Sequence, residues 1–148
     1  MGDIQTLVRT LRGFSRNDIL IKEVRAELRQ PVPIVRRRIK DTALGTLPAG
    51  GGLNAWVASI RITAAVQASG KSVRVRLKGG RNSRAARSDI RAIDRGRLRH
   101  PAWGRRFRGQ WFTQSVTPGF FTKTAADSPE WPAAIDRAIA KALEQIHT

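Results

Sequence analysis

The spacing of apolar residues changes twice along this chain, and those changes constrain its fold more than any other feature. Ile4, Leu7, Val8 and Leu11 fall at i, i+3, i+4 and i+7, which lines one face of a helix, and Gly13 follows as a stop. A second helix starts at Asn17 or Asp18, either of which can accept from the open amides of a first turn. It runs through Ile21, Val24 and Leu28 to Gln30. Pro31 and Pro33 interrupt it, and Ile34, Val35, Ile39 and Ala43 then resume the helical spacing. The stretch 18–45 therefore reads as two helices or one long kinked helix, with Arg36, Arg37, Arg38 and Lys40 on its solvated face.

LPAGGGL, residues 47–53, is expected to be a loop, because three glycines cost too much backbone entropy inside an element. It lacks the Lys and Ser/Thr that a phosphate-cradling loop places before a helix. From Trp56 the period becomes two. Ile60, Ile62, Ala64 and Val66 alternate with Ser59, Arg61, Thr63 and Gln67; after the turn ASGK, Val73, Val75 and Leu77 alternate with Arg74, Arg76 and Lys78. This predicts a β-hairpin with one buried face and one polar face. A cationic row on the second strand discourages edge-to-edge pairing as readily as it binds anions.

GRNSRAARS, residues 80–88, is polar and lacks apolar periodicity, so it reads as a loop. DIRAID, which follows, fits a short third strand or a helical turn, and WFTQSV, residues 111–116, fits a further strand. Between them RGRLRHPAWGRRFRGQWF makes an inter-strand excursion of about 15 residues, long enough to be functional or disordered. The period returns to helical at the end. Ser128 and Pro129 suit an N-cap and first turn, and Ile135, Ala138, Ile139, Ala142, Leu143 and Ile146 form a stripe. The expectation is one α+β domain over 1–148. It has a helical part at 1–46, a small, mainly antiparallel sheet with basic loops at 54–116, and a C-terminal amphipathic helix at 128–147.

Charge decides which partners suit such a chain. It holds 28 Lys plus Arg against 11 Asp plus Glu, a formal charge of +17, which favours polyanions or acidic protein faces. No acid lies between Asp41 and Asp89 or between Asp94 and Asp127, so the middle of the chain is its basic part. The absence of cysteine removes disulfides, thiolate metal sites and cysteine nucleophiles, and fits production in a reducing cytoplasm. No apolar run is long enough to span a bilayer, and the first residues lack a signal-peptide pattern, so neither membrane nor secretion is expected.

Catalytic constellations are thin. His100 and His147 have no partner at metal or nucleophile spacing, and Asp89 and Asp94 would point to opposite faces of an extended segment. No metal, cofactor or enzymatic activity is expected, although a nuclease whose acids meet only in the fold is a third reading. The interleaving of arginine with Trp103, Phe107, Trp111 and Phe112 suits stacking and phosphate contact. It equally suits a subunit interface, where Trp and Arg are enriched. No groove-reading or RNA-binding motif can be placed.

AIDRGRLRHPAWGRR, then WFTQSVTPGFF, then a helix such as AAIDRAIAKALEQI, together resemble the tail-completion or head–tail joining proteins of long-tailed bacteriophages, particularly phages of actinobacteria. The matching positions are Gly96, His100, Pro101, Gly104, Trp111, Pro118, Gly119, Phe120 and Phe121. The family often carries an acid directly before that first glycine, where this chain has Asp94-Arg95-Gly96. The resemblance implies a non-enzymatic virion protein of the neck, assembled in the host bacterial cytoplasm as a homo-oligomeric ring beside other neck and tail proteins. It implies subunit or partner contacts by Trp103, Phe107, Trp111, Phe112, Phe120 and Phe121. Arg74, Arg76, Lys78, Arg95, Arg97, Arg99, Arg105, Arg106 and Arg108 would meet DNA in the lumen or acidic partners. The alternative is a small basic nucleic-acid-binding protein.

Overall fold

The computed structural model describes residues 3–13, 18–69, 71–80, 84–101 and 109–145, the side chains of 84–88 and 101 excepted. The chain is α+β and divides into two compact units. The first takes in Met1–Arg37, Thr63–Lys78 and Asp127–Thr148; the second takes in Arg38–Ile62 and Gly79–Ala126.

In the first unit, α1 (Ile4–Arg12) starts where the Asp3 carboxylate accepts from the Gln5 amide at 3.0 Å. Helix α2 (Asp18–Arg29) follows, and α3 (Val32–Thr46) carries the chain into the second unit. The proline pair ends one helix and begins another, because Pro33 falls in the first turn of α3, where a missing N–H breaks no helical bond. Of the basic cluster, Arg37 is exposed, whereas Arg36, Arg38 and Lys40 are half-buried. Strands β1 (Ile62–Ala68) and β2 (Val73–Gly79) form an antiparallel hairpin.

Helix α7 (Glu130–Glu144) closes this unit. It begins directly after Ser128 and Pro129, and Pro129 already has helical φ and ψ of −69° and −11°. Ala134, Ala138 and Ala142 repeat every fourth residue on its buried face, and such short side chains let α1 and α2 approach closely. Leu7, Leu11, Leu20, Val24, Leu28, Val66, Ala68 and Ile135 complete the core, with Val73 and Val75 packed against it. One face of the hairpin is thus covered.

Glu27 is buried within this unit. Its carboxylate accepts from Lys141 Nζ at 2.6 Å and from Arg137 Nε at 3.1 Å, both on α7. These bonds offset the desolvation of a buried charge and join α2 to α7 across the core. The Lys141 bond is the larger cause holding the Glu27 carboxyl below its ordinary value, against burial, which pushes it up.

The second unit contains the end of α3, a 3₁₀ turn at Gly50–Gly52, α4 (Leu53–Ala58), α5 (Arg84–Asp94), β3 (Arg97–Pro101), β4 (Trp111–Ser115) and α6 (Thr122–Ala126). Gly51 and Gly52 take left-handed φ of 68° and 74°, so the triple glycine turns the chain into α4. Residues 84–94 are helical: 84–88 belong to the helix where their polarity suggests a loop, and DIRAID takes the helical of its two readings. Ile90 and Ile93 are three apart, and three is helical spacing, which puts both in the interior. The strands form two separate two-stranded sheets, with α5 intervening between β2 and β3. Because β3 takes up residues 97–101, the inter-strand connection is shorter than the excursion expected.

The interior of this unit includes Ile39, Ala43, Val57, Ile60, Ile90, Ile93, Phe120 and Phe121. The rings of Phe120 and Phe121 meet edge to face, with centroids 6.1 Å apart. Gly79 lies against the Phe121 ring. A β-carbon there would stand 2.7 Å from Phe121 Cε2 and 3.1 Å from Ile60 Cδ1.

Two outcomes follow from this packing. Because the folded-state value of Glu27 is lowered, its stabilisation is complete above the ordinary 4.5 and is lost as pH falls through the folded-state value. Glu27→Gln should lower stability by about 1–3 kcal/mol at neutral pH, measured by urea unfolding, with the deficit shrinking in acid. A deficit that stays constant between about pH 7 and pH 2 would refute this role. Gly79→Ala should cost about 1–3 kcal/mol by overpacking the phenylalanines, and an unchanged melting temperature would exclude that crowding.

Candidate functional site

The β3–β4 ribbon concentrates the exposed aromatic and basic groups of the second unit. Its position is set at its base. After α5 ends at Asp94, Gly96 takes φ of 88°, and its carbonyl accepts from Val116 N–H at 3.0 Å. A β-carbon on Gly96 would meet the Val116 carbonyl oxygen at 3.0 Å, so this crossing suits glycine twice over.

Asp94 holds the crossing in place. Its backbone carbonyl accepts from Gly119 N–H at 2.8 Å, and its carboxylate Oδ1 accepts from the amides of Phe121 at 2.7 Å and Thr122 at 3.2 Å. The Thr122 hydroxyl donates to Oδ2. The open amides at the start of α6 are thereby satisfied by a side chain from the end of α5.

The antiparallel register pairs Arg97 with Ser115, Leu98 with Gln114, Arg99 with Thr113, His100 with Phe112 and Pro101 with Trp111. Directly paired residues share a face. One face therefore carries Arg97, Arg99, Trp111, Thr113 and Ser115, all of them exposed. The Arg99 guanidinium lies 5.1 Å from the Trp111 ring centroid, a cation–π contact. On the other face Leu98 and His100 are half-buried, while Phe112 and Gln114 are exposed, and the His100 and Phe112 rings lie 6.4 Å apart. Trp111 is 55% exposed and Phe112 46%, and every residue of β4 is exposed. A two-stranded ribbon is marginally stable alone, so this one depends on its tether.

The structure brings Arg97, Arg99, Trp111 and Phe112 together, with Arg95 exposed at the base. Phe120 and Phe121, assigned by the resemblance to subunit contacts, instead lie in the unit's own interior, 2% and 9% exposed. The turn held by Asp94 delivers both rings inward. Trp103, Gly104, Arg105, Arg106, Phe107 and Arg108 lie outside the described residues. Arg74, Arg76 and Lys78 are exposed on β2 of the first unit.

Asp94 is the functional residue that sequence reasoning missed. It drew notice as a possible partner for Asp89, which is exposed on the same helix, and as the acid of Asp94-Arg95-Gly96 in the resemblance, but not as an acceptor for the turn at 119–122. Among the described residues no group of three or more His, Asp or Glu side chains could hold a metal ion, and no helix is long and apolar enough to cross a membrane. Comparison of the chain with protein-family models, with curated proteins and with solved structures finds no match.

Asp94→Ala should leave the Phe121 and Thr122 amides without their acceptor and cost about 1–2 kcal/mol. Faster hydrogen exchange at those two amides, together with β3–β4, is the expected signature. Exchange unchanged there would show that the ribbon is held some other way.

Proposed function

We propose that this chain is a structural protein of a tailed-bacteriophage neck, joining tail to head as a tail-completion, head–tail connector or tail-terminator ring. The observation that carries the proposal is the ribbon: Trp111 and Phe112 are presented to solvent on strands whose base is fixed by Asp94. Large rings exposed on a tethered element suit contact with another subunit, since aromatic and arginine side chains dominate the energetics of such interfaces. The resemblance carried by Gly96, His100, Pro101, Trp111, Pro118 and Gly119 points to the same kind of assembly.

Identical chains in a ring meet through two different patches, so the ribbon of one protomer would seat on a separate surface of its neighbour. Trp103 and Phe107, in the segment joining the strands, would extend this contact. In this reading the protein works by assembly in the host bacterial cytoplasm and resides in the virion. Its partners are further copies of itself and the adjacent neck and tail proteins.

The test replaces Trp111 and Phe112 together by alanine in the genome that encodes the chain. Exposed rings contribute little to the fold, so the purified variant should melt close to wild type. Loss of even one interface anchor of about 2–4 kcal/mol weakens assembly at least roughly 30-fold, and the variant lacks two, so filled heads and tails should accumulate unjoined. Normal infectious particles from the variant, or purified virions that lack the chain, would overturn the proposal.

A further inference from the structure

A second surface, on the first unit, shares no residue with the ribbon; the neck reading sets its cations against DNA or acidic partners, and the hairpin's geometry decides between the two. Counting outward from the turn, where Ser69 N–H donates to Ser72 O at 2.9 Å, Gln67 stands opposite Arg74, Ala65 opposite Arg76 and Thr63 opposite Lys78. The Thr63 hydroxyl reaches the Lys78 carbonyl at 3.5 Å, which agrees with that register. All six residues are exposed, while Ile62, Val66 and Ala68 on the opposite face are buried.

The cations of this face lack counter-ions. Acids are absent from Asp41 to Asp89, and among the described residues neither Arg74, Arg76 nor Lys78 has an ion-pair partner. Cross-strand neighbours of a charged row commonly carry the opposite sign, yet here they are Thr, Ala and Gln. The three cations repel one another in the free chain, and an anionic partner removes that repulsion.

Geometry narrows the partner. Alternate residues of a strand lie about 6.7 Å apart and point the same way. Phosphates rise by about 3.4 Å of axis per step along each strand of duplex DNA while winding around it, so successive phosphates stand several ångströms apart through space, a separation that a short row of cations at this spacing can follow. The face is free of carboxylates and lacks an apolar anchor, which suits a uniform anionic backbone better than the mixed signs and apolar centre of a protein interface.

We infer that the outer face of the β1–β2 hairpin is a sequence-independent binding surface for duplex DNA, with Arg74, Arg76 and Lys78 contacting phosphates and Gln67 available as a hydrogen-bond donor beside them. It reads no bases. Its affinity is set by counterion release and therefore by salt.

The experiment uses the full chain and a short mixed-sequence DNA duplex carrying a fluorophore, with binding followed by anisotropy over a salt series. A variant with Arg74→Gln, Arg76→Gln and Lys78→Gln is compared with a charge-matched control carrying Arg9→Gln, Arg12→Gln and Lys22→Gln, exposed cations on α1 and α2. Far-ultraviolet circular dichroism checks that both fold. Losing three phosphate contacts should flatten the log–log salt slope by about 2.7, removing about 40-fold of the affinity change between about 50 and 200 mM salt, and the control should keep most of it. Equal losses in both variants, or none in the hairpin variant, would overturn the assignment. So would hairpin-dependent binding of poly-glutamate without binding of DNA, which would assign the face to an acidic protein.

Discussion

The second unit turns on one carboxylate. Asp94 ends α5, accepts from the amides that open α6, and with its own carbonyl holds Gly119, so two helices and the start of a ribbon meet on one residue. Open amides at a helix start need acceptors, and here the acceptor comes from a distant part of the chain rather than from the preceding residue. The turn between β4 and α6 therefore cannot shift without moving α5. Phe120 and Phe121 ride on that turn into the interior, while Trp111 and Phe112, on the strand just before it, stay in solvent. Inward and outward aromatics are sorted within a dozen residues by where the backbone is tied.

Local periodicity was enough to read α1, α2, α3, the β1–β2 hairpin and α7, because each carries its own apolar repeat and each boundary has a proline, a glycine or a charged cap nearby. Helix α5 was harder to read: its first half is polar, and Ile90 and Ile93 are too few to declare a period by themselves. A strand's alternation shows which face is buried, but not which strand will pair with it. That is why β3 and β4 form their own sheet where a single sheet was expected. At the site, 111–116 was readable as strand, but nothing local distinguishes the exposed Trp111 from the buried Phe120. Asp94 and Glu27 act on partners far along the chain, the first at 119–122 and the second on α7, and a single sequence records neither pairing. Glu27 did leave one trace, since it sits beside Leu28 and three residues after Val24, within an otherwise apolar stripe.

The chain treats its scarce acids and plentiful bases differently. In the first unit a buried glutamate gathers Arg137 and Lys141, and the pairing serves cohesion between helices. On β2 of the same unit three cations have no such partner among the described residues, and the energy of their mutual repulsion stays available to an incoming anion. The net charge of +17 thus has at least two components with different consequences. Salt should screen the exposed row strongly and the Glu27 pairing less, because that carboxylate is buried while Arg137 and Lys141 are half-exposed.

The ribbon poses a different problem, because exposed strands bearing Trp and Phe invite pairing with any other strand. Arg97 and Arg99 sit on the same face as Trp111, so two ribbons meeting face to face would bring like charges together before their rings could pack. Arg99 also lies over the indole of Trp111, leaving an apolar ring partly covered by a group that prefers an anionic neighbour. A partner that takes Trp111 must therefore offer an apolar pocket and an acid for Arg99 in one place. A purely hydrophobic surface satisfies only the first demand, and a purely anionic one only the second. Were the ribbon the interface we propose, its selectivity would follow from requiring both, with the arginines contributing chiefly by penalising the wrong contacts.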